Sequence, residues 1–129
     1  NGTATVTFPS AITGNYYIVI KHRSSIQTWS TDPVSFGATT AYDFTTAASQ
    51  AYADNMIEVE TGIWAIYTGD LNQDDFIDSF DFPIFDLDAY NGVAGVYVAT
   101  DLNGDGFVDS FDYPIFDANA FNGVTATYP

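Results

Sequence analysis

The most constraining feature of this sequence is an internal duplication in its second half. Residues 70–93 align with residues 101–124 at an offset of 31, and 17 of the 24 aligned positions are identical. The two copies read DLNQDDFIDSFDFPIFDLDAYNGV and DLNGDGFVDSFDYPIFDANAFNGV. Chance does not produce identity at this level, so the two segments are copies of one structural unit.

Each copy predicts an acidic loop followed by a short helix. The loop is followed by apolar residues at roughly helical spacing, which are Phe80, Ile84, Phe85 and Leu87 in the first copy and Phe111, Ile115, Phe116 and Ala118 in the second. Pro83 and Pro114 place the helix starts nearby, because proline is tolerated only in a first turn. The Asn-Gly pairs at residues 91–92 and 122–123 are typical helix stops, since both residue types accept a left-handed conformation.

Oxygen-bearing side chains recur in each loop at positions 1, 3, 5, 9 and 12, which is the ligand order of an EF-hand. Ca²⁺ takes six to eight hard oxygen ligands, and a backbone carbonyl at position 7 supplies one of them. The spacing therefore predicts two Ca²⁺ ions. The predicted ligands are Asp70, Asn72, Asp74, Phe76 (carbonyl), Asp78 and Asp81 in loop 1 (residues 70–81), and Asp101, Asn103, Asp105, Phe107 (carbonyl), Asp109 and Asp112 in loop 2 (residues 101–112).

The loops depart from an ordinary EF-hand at two positions. Position 12 is Asp in place of the usual bidentate Glu, and position 6 is Gly106 in loop 2 but Asp75 in loop 1. A sharp turn at position 6 strains Asp by roughly 1 kcal/mol relative to Gly, so site 1 is expected to be the weaker one and Asp75→Gly to tighten it. Apolar Ile77 and Val108 at position 8 suit a short strand contact between the two loops.

An Asp at position 12, with no helix before the loop, makes the pair resemble the type I dockerin repeats of bacterial extracellular proteins. The resemblance covers residues 70–123 and implies a calcium-folded helical pair. It does not carry over cohesin binding, because positions 10 and 11 are Ser79-Phe80 and Ser110-Phe111 where cohesin-binding dockerins usually have small hydroxyl residues.

The first half resembles C-terminal modules of large secreted or surface proteins of Bacteroidetes-type bacteria. The resemblance lies in the segment GNYYIVIKHRSSIQTWSTDPVSF, which leads into TGDLNQDD. That resemblance implies an extracellular location.

Charge is concentrated in the repeats. The chain has 17 acidic residues and two basic ones, for a formal net charge of −15. Residues 1–69 hold five acids against Lys21 and Arg23, a net of −3, whereas residues 70–129 hold twelve Asp and no base, a net of −12. This balance argues against a nucleic-acid partner. Two divalent ions would reduce the net charge from −15 to −11 and relieve self-repulsion.

Residues 1–69 predict a small antiparallel β-sandwich of Ig-like type, followed by residues 70–129 as a second unit. Short runs rich in Thr, Val, Ile, Tyr and Trp, broken by turn residues, predict strands near 3–8, 15–23, 26–30, 34–36, 41–45 and 57–68, the last folded at Gly62. Residues 47–54 suit a loop or one helical turn. No Pro- or Gly-rich linker separates the two units, so we expect them to pack rigidly together.

Other candidate residues favour structural roles. His22 is expected at a strand end or core edge, with a metal ligand or catalytic base as the alternative. Trp29 and Trp64 are expected to pack in the core, although aromatic faces of this kind can also stack on sugars. Three acids outside the loop pattern are expected to be surface charge, namely Asp86, Asp88 and Asp117. The Asn1-Gly2-Thr3 triplet matches an N-glycosylation acceptor.

An enzyme is not predicted, because the chain has no cysteine, a single histidine and none of the common catalytic motifs. No apolar run is long enough to cross a membrane, and the first residues lack a signal peptide's features, so we expect a mature chain or a piece of a longer one.

Three functions remain open: a structural or assembly module, a carbohydrate-binding module, and a docking domain for a heterologous receptor. The first is preferred. Lys21 and Arg23 would bind the acidic repeats of another copy head to tail, unless they pair with Glu58 and Glu60 of their own chain.

Overall fold

The computed structural model describes residues 3–9 and 11–129. Two residues of the possible glycosylation triplet, Asn1 and Gly2, lie outside the described residues. In the described part, short antiparallel strands occupy the first half of the chain and two α-helices occupy the second half. The fold is therefore mainly β with a small α part, as the sequence predicts.

Within residues 3–9 and 11–129, six short strands form three antiparallel sheets of two strands each. Strand β1 pairs with β4, β2 with β3, and β5 with β6. The β5–β6 hairpin turns at Gly62, whose φ of 75° is readily adopted only without a side chain, so the turn expected there is confirmed. The strands are β1 (Gly14–Tyr16), β2 (Val19–His22), β3 (Ser25–Trp29), β4 (Val34–Phe36), β5 (Ile57–Glu60) and β6 (Ile63–Ala65).

Three of the expected strands are wrong in detail. Residues 3–8 are described but form no strand. The expected strand at 15–23 is divided between β1 and β2, which pair with different partners. In place of a strand at 41–45, a 3₁₀ turn begins at Phe44, because the Asp43 carboxylate accepts hydrogen bonds from the backbone N–H and hydroxyl of Thr45 at 2.8 and 2.7 Å. A side chain that bonds its own backbone in this way competes with strand pairing.

Residues 47–54 form helical turns, one of the two expected alternatives. Two 3₁₀ turns cover Ala48–Gln50 and Tyr52–Asp54. Next to them, Ala51 and Met56 are buried with Phe44 in one cluster, to which β2 contributes Ile20 and β6 contributes Trp64. Two of the three sheets therefore pack on a common core.

The two helices begin and end where the sequence predicts. Helix α1 covers Phe82–Tyr90 and helix α2 covers Tyr113–Phe121, each with a proline in its first turn. After α1, Gly92 has a φ of 61°, and the N–H of Val93 donates to the carbonyl of Asp88 at 3.0 Å. The same arrangement follows α2. This is a Schellman motif, in which a left-handed glycine lets the chain turn back and satisfy the last carbonyls of the helix.

The two repeats pack against each other with an approximate twofold relation. The rings of Phe85 and Phe116 lie 6.4 Å apart with an interplanar angle of 4°. The N–H of Ile77 donates to the carbonyl of Val124, and the N–H of Val108 donates to that of Val93, both at 2.9 Å. The expectation that position 8 joins one loop to the other is therefore wrong. The backbone N–H at position 8 of each loop instead donates to the valine that follows the Asn-Gly pair of the other repeat.

The first half and the repeats share one hydrophobic cluster. Ile26 of β3 is buried together with Ile77, Phe116 and Ala126. Gly69, which leads into loop 1, is buried, and a Cβ atom there would lie 2.8 Å from the Ile77 side chain. The chain therefore passes from one half to the other through a close contact. Among the described residues, no helix is long and apolar enough to span a membrane.

Candidate metal centres

Both loops are folded by hydrogen bonds from backbone N–H groups to the predicted ligands. The position-1 carboxylate accepts from positions 5 and 6 in loop 1 and from positions 4 and 6 in loop 2. In loop 1 the Asp70 carboxylate accepts from the N–H groups of Asp74 and Asp75, both at 3.1 Å. In loop 2 the Asp101 carboxylate accepts from Gly104 and Gly106 at 2.8 and 2.9 Å. Both position-1 carboxylates thus hold the following turn closed.

The side chains at positions 3, 5 and 9 each accept a hydrogen bond from the N–H two residues further on. The acceptors are Asn72, Asp74 and Asp78 in loop 1, at 2.9, 3.1 and 2.7 Å, and Asn103, Asp105 and Asp109 in loop 2, at 2.8, 2.9 and 2.8 Å. Such bonds turn the backbone at alternate residues. The loops therefore follow the same path despite their differences in sequence.

Position 12 connects the end of each loop to its beginning. Asp81 is fully buried, and its carboxylate accepts from the N–H groups of Leu71, Asn72 and Asp78 at 2.7, 3.0 and 2.9 Å. Asp112 is also fully buried and makes the three equivalent bonds. Neither side chain caps the helix that begins after it. Each one instead holds the loop closed.

Loop 1 buries negative charge without a basic side chain from the repeats to neutralise it. Asp70 is 1% exposed, and residues 70–129 contain no Lys or Arg. Burial raises the pKa of Asp70 above its ordinary value, and the negative charge of Asp81 raises this pKa further, whereas N–H groups of the loop lower it. A cation would remove this penalty, because buried charges are normally paired or bound to metal.

The donor chemistry fits a hard divalent cation, while the side chains do not yet converge on one point. Among the described residues, no three His, Cys, Asp or Glu side chains are grouped closely enough to hold an ion. The amide of Asn72 donates to Asp74 at 2.9 Å, so these two predicted ligands contact each other. The predicted ligands are therefore oxygen-bearing and regularly spaced, and in this structure they contact one another and the backbone of their own loop.

The backbone at position 6 is left-handed in both loops, as expected. Asp75 has a φ of 73° and Gly106 a φ of 90°. Position 4 has the same property, with φ values of 62° at Gln73 and 79° at Gly104, and sequence reasoning missed it. Glycine at both positions of loop 2 was the available signal, since glycine favours positive φ.

Arg23 lies beside loop 2. Its guanidinium is 5.4 Å from the centre of the Tyr97 ring, and it lines a shallow cavity together with Asp101 and Asp105. Arg23 therefore lies near acidic residues of its own chain, which does not favour the head-to-tail contact expected for it with another copy. Lys21 is exposed.

The hydrogen bonds of His22 fit the structural role expected for it at a strand end. Its Nε2 lies 2.8 Å from the Arg23 guanidinium, which can only donate, and its Nδ1 lies 3.0 Å from the Ser24 hydroxyl. Burial lowers the pKa of His22, and the positive charge of Arg23 lowers this pKa further. The ring is thus held neutral at the end of β2.

The two tryptophans are half-buried in different surroundings. Trp64 packs on the cluster that contains Met56, and the Trp29 ring meets those of Tyr17 and Tyr128 edge to face at 6.0 and 6.1 Å. Trp64 therefore packs on the core as expected, whereas Trp29 packs on two tyrosine rings outside that cluster.

One of the acids outside the loop pattern does more than carry surface charge. Asp88 is half-buried and accepts a hydrogen bond from the Thr100 hydroxyl at 2.7 Å, so its assignment as surface charge is wrong. Asp86 and Asp117 are exposed, as expected. Asp117 accepts from the Tyr113 hydroxyl at 3.1 Å.

Comparison of the chain with protein-family models, with curated proteins and with solved structures gives no match. The functional argument therefore rests on the residues and their geometry.

Proposed function

We propose that this chain is a non-catalytic, extracellular calcium-binding module of a secreted bacterial surface or fibre-forming protein, in which two Ca²⁺ ions rigidify the repeats. The observation that carries the proposal is the pair of buried carboxylates in loop 1. Asp70 and Asp81 are 1% and 0% exposed in a half of the chain that has twelve Asp and no Lys or Arg. Divalent cations supply the missing positive charge, and the ligand order selects Ca²⁺ over smaller ions.

The proposal includes a dockerin-like pair of loop-helix repeats and an Ig-like sandwich. The repeats are supported by their matching hydrogen bonds, helix ends and twofold-like contact through Phe85 and Phe116. The sandwich is supported by the core that β2 and β6 share. For this ligand set we expect an affinity of roughly 10⁻⁶–10⁻⁴ M, which runs from the sensor range to the edge of the extracellular range.

A structural role is favoured over catalysis by the surroundings of the single histidine. His22 is bonded to Arg23 and Ser24 at a strand end, and the acids that could pair for hydrolysis are engaged in closing the loops.

Self-association is proposed from the aromatic surface of the repeats. Phe80 and Phe111 are each 73% exposed, and Tyr90 and Phe121 are 88% and 89% exposed, at equivalent positions of the two repeats. Exposed apolar patches of this kind mark interaction sites in soluble proteins. The exposed Lys21 adds a positive contact for an acidic repeat of another copy. Glycan binding and docking to a heterologous receptor remain the alternative partners.

Calorimetric titration with Ca²⁺ tests the metal sites, together with thermal unfolding in Ca²⁺, Mg²⁺ and chelator. We expect two ions per chain, a lower melting temperature in chelator, and little rescue by Mg²⁺, whose small octahedral shell does not match a wrapped loop. Asp105→Ala should bind one ion fewer. Asp86→Ala is the matched control, since it removes a carboxylate that is also exposed but lies outside the loops, and it should still bind two. Absence of Ca²⁺ binding, or a melting temperature that chelation leaves unchanged, would overturn the proposal.

A further inference from the structure

The two loops differ in what their position-6 residue contacts. In loop 1 the Asp75 carboxylate accepts hydrogen bonds from the Gln27 amide at 2.7 Å and from the Tyr128 hydroxyl at 2.6 Å. Gln27 belongs to β3, and its amide also donates to the Tyr128 hydroxyl at 3.2 Å. These three side chains, here named the junction cluster, join loop 1 to the first half and to the end of the chain. Gly106 has no side chain with which to make such contacts.

The backbone of Asp75 connects the same cluster to a predicted metal ligand. Its N–H donates to the Asp70 carboxylate at 3.1 Å, and its carbonyl accepts from the N–H of Ala126 at 2.8 Å and the Thr125 hydroxyl at 2.9 Å. One residue thus bonds to the buried Asp70, to the last segment of the chain and, through its carboxylate, to β3.

The aromatic contacts extend this connection into the first half. The Tyr128 ring packs edge to face on Trp29, which packs in the same way on Tyr17. The hydrogen bond to Asp75 raises the pKa of the Tyr128 phenol above its ordinary value, because ionisation would remove the proton that the phenol donates, and it would also place two negative charges together. Tyr128 therefore stays a hydrogen-bond donor at neutral pH.

We infer that Asp75 is a positioning residue through which occupancy of loop 1 by Ca²⁺ stabilises β3 of the first half, whereas loop 2 lacks this connection. The inference rests on the proposed calcium binding. An ion bound to the Asp70 carboxylate would fix its position. Because this carboxylate accepts the N–H of Asp75, the backbone of Asp75 would be fixed as well. The Asp75 side chain would then be held in the orientation that bonds to Gln27 and Tyr128. Coupling of this kind is reciprocal, so the junction cluster also strengthens binding at loop 1.

Tyr128→Phe tests the inference in the full chain, because it removes one hydroxyl and none of the twelve predicted ligands. Amide hydrogen exchange is measured at β3 in Ca²⁺ and in chelator. In the wild type, Ca²⁺ should slow exchange at β3 by at least about fivefold, the lower end of typical coupling. In Tyr128→Phe most of this slowing should be lost, and the affinity of one of the two sites should fall, with two ions still bound.

Tyr113→Phe is the matched control. It also removes a tyrosine hydroxyl bonded to an aspartate, at 3.1 Å from Asp117, but outside the junction cluster. This variant should retain the wild-type response at β3. A Tyr128→Phe response equal to that of the wild type, or an equal loss in both variants, would overturn the inference. Calorimetry separates the two proposals: two bound ions with no effect at β3 refute only the coupling, whereas no bound ion refutes both.

Discussion

Replacing Asp75 with Gly has two opposing effects on stability, and the structure indicates which effect is larger. From the sequence alone, glycine should relieve the backbone and strengthen loop 1. In the structure Asp75 does have a left-handed φ of 73°, but its carboxylate also accepts hydrogen bonds from Gln27 and Tyr128. The substitution therefore removes strain and two contacts at once.

The contacts should dominate. Relief of a left-handed non-glycine residue stabilises by about 1–2 kcal/mol, while glycine costs about 0.5–1 kcal/mol through the added freedom of the unfolded chain. Hydrogen bonds to a charged group contribute about 1.5–3 kcal/mol each. Tyr128 is 47% exposed, which places its bond at the low end of that range. We expect Asp75→Gly to destabilise the calcium-loaded protein by about 1–3 kcal/mol.

Chemical denaturation in saturating Ca²⁺ measures this difference. Gln73→Gly is the matched control, because Gln73 also has a left-handed φ, of 62°, but its amide bonds only to the backbone carbonyls of Asp70 and Arg23, at 2.7 and 3.3 Å. In Gln73→Gly the relief of strain and the loss of neutral hydrogen bonds should nearly cancel, so the free energy of unfolding should change by less than about 1 kcal/mol. A gain in stability for Asp75→Gly would refute the assigned role of its carboxylate. It would support the expectation from the sequence that glycine at this position strengthens loop 1.

Three further changes test other parts of the molecule. Asp112→Ala should abolish the second calcium site and lower the free energy of unfolding by about 3 kcal/mol, because three partly buried N–H groups lose their acceptor; a second ion seen by calorimetry would contradict this. The folded pKa of His22 is lowered, so the unfolded chain binds more protons, and the stability that His22 contributes is lost as pH falls through about 6.5. His22→Gln should flatten this dependence between pH 5 and 8 in denaturant titrations, whereas an unchanged slope would assign it to other groups. Light scattering in Ca²⁺ should detect association of the wild type that Lys21→Glu, or Phe80→Ser with Phe111→Ser, disrupts without unfolding; a wild type that stays monomeric at high concentration excludes the aromatic contact.

The repeats were predictable because their structure is set locally. Pro83 limits the helix start, Gly92 sets its end, and the spacing of short polar side chains turns each loop through bonds to N–H groups two residues away. Each of these signals lies within a few residues of the feature that it determines. Helix bounds and loop path could therefore be read from the sequence.

The first half was less predictable because its strands are short and pair with distant segments. Tyr16 pairs with Val34, whereas Val19, three residues later, pairs with Trp29 in another sheet, and nothing in the alternation of residues 15–23 marks the change. The Asp75 contacts were hidden for the same reason, since Gln27 and Tyr128 are 48 and 53 residues away from it along the chain.

The differences between the repeats follow from their unequal surroundings. Asn119 of α2 is buried and its amide donates to the Thr68 carbonyl at 2.8 Å, just before loop 1. The equivalent residue of α1, Asp88, instead accepts from the Thr100 hydroxyl just before loop 2. A carbonyl can only accept, so an amide is required at Thr68, whereas a carboxylate serves at Thr100. Gln73 and Asp75 similarly replace two glycines of loop 2 where loop 1 meets the first half of the chain. Repeat symmetry is therefore broken at polar contacts with the first half, which is where the calcium-loaded repeats would transmit rigidity.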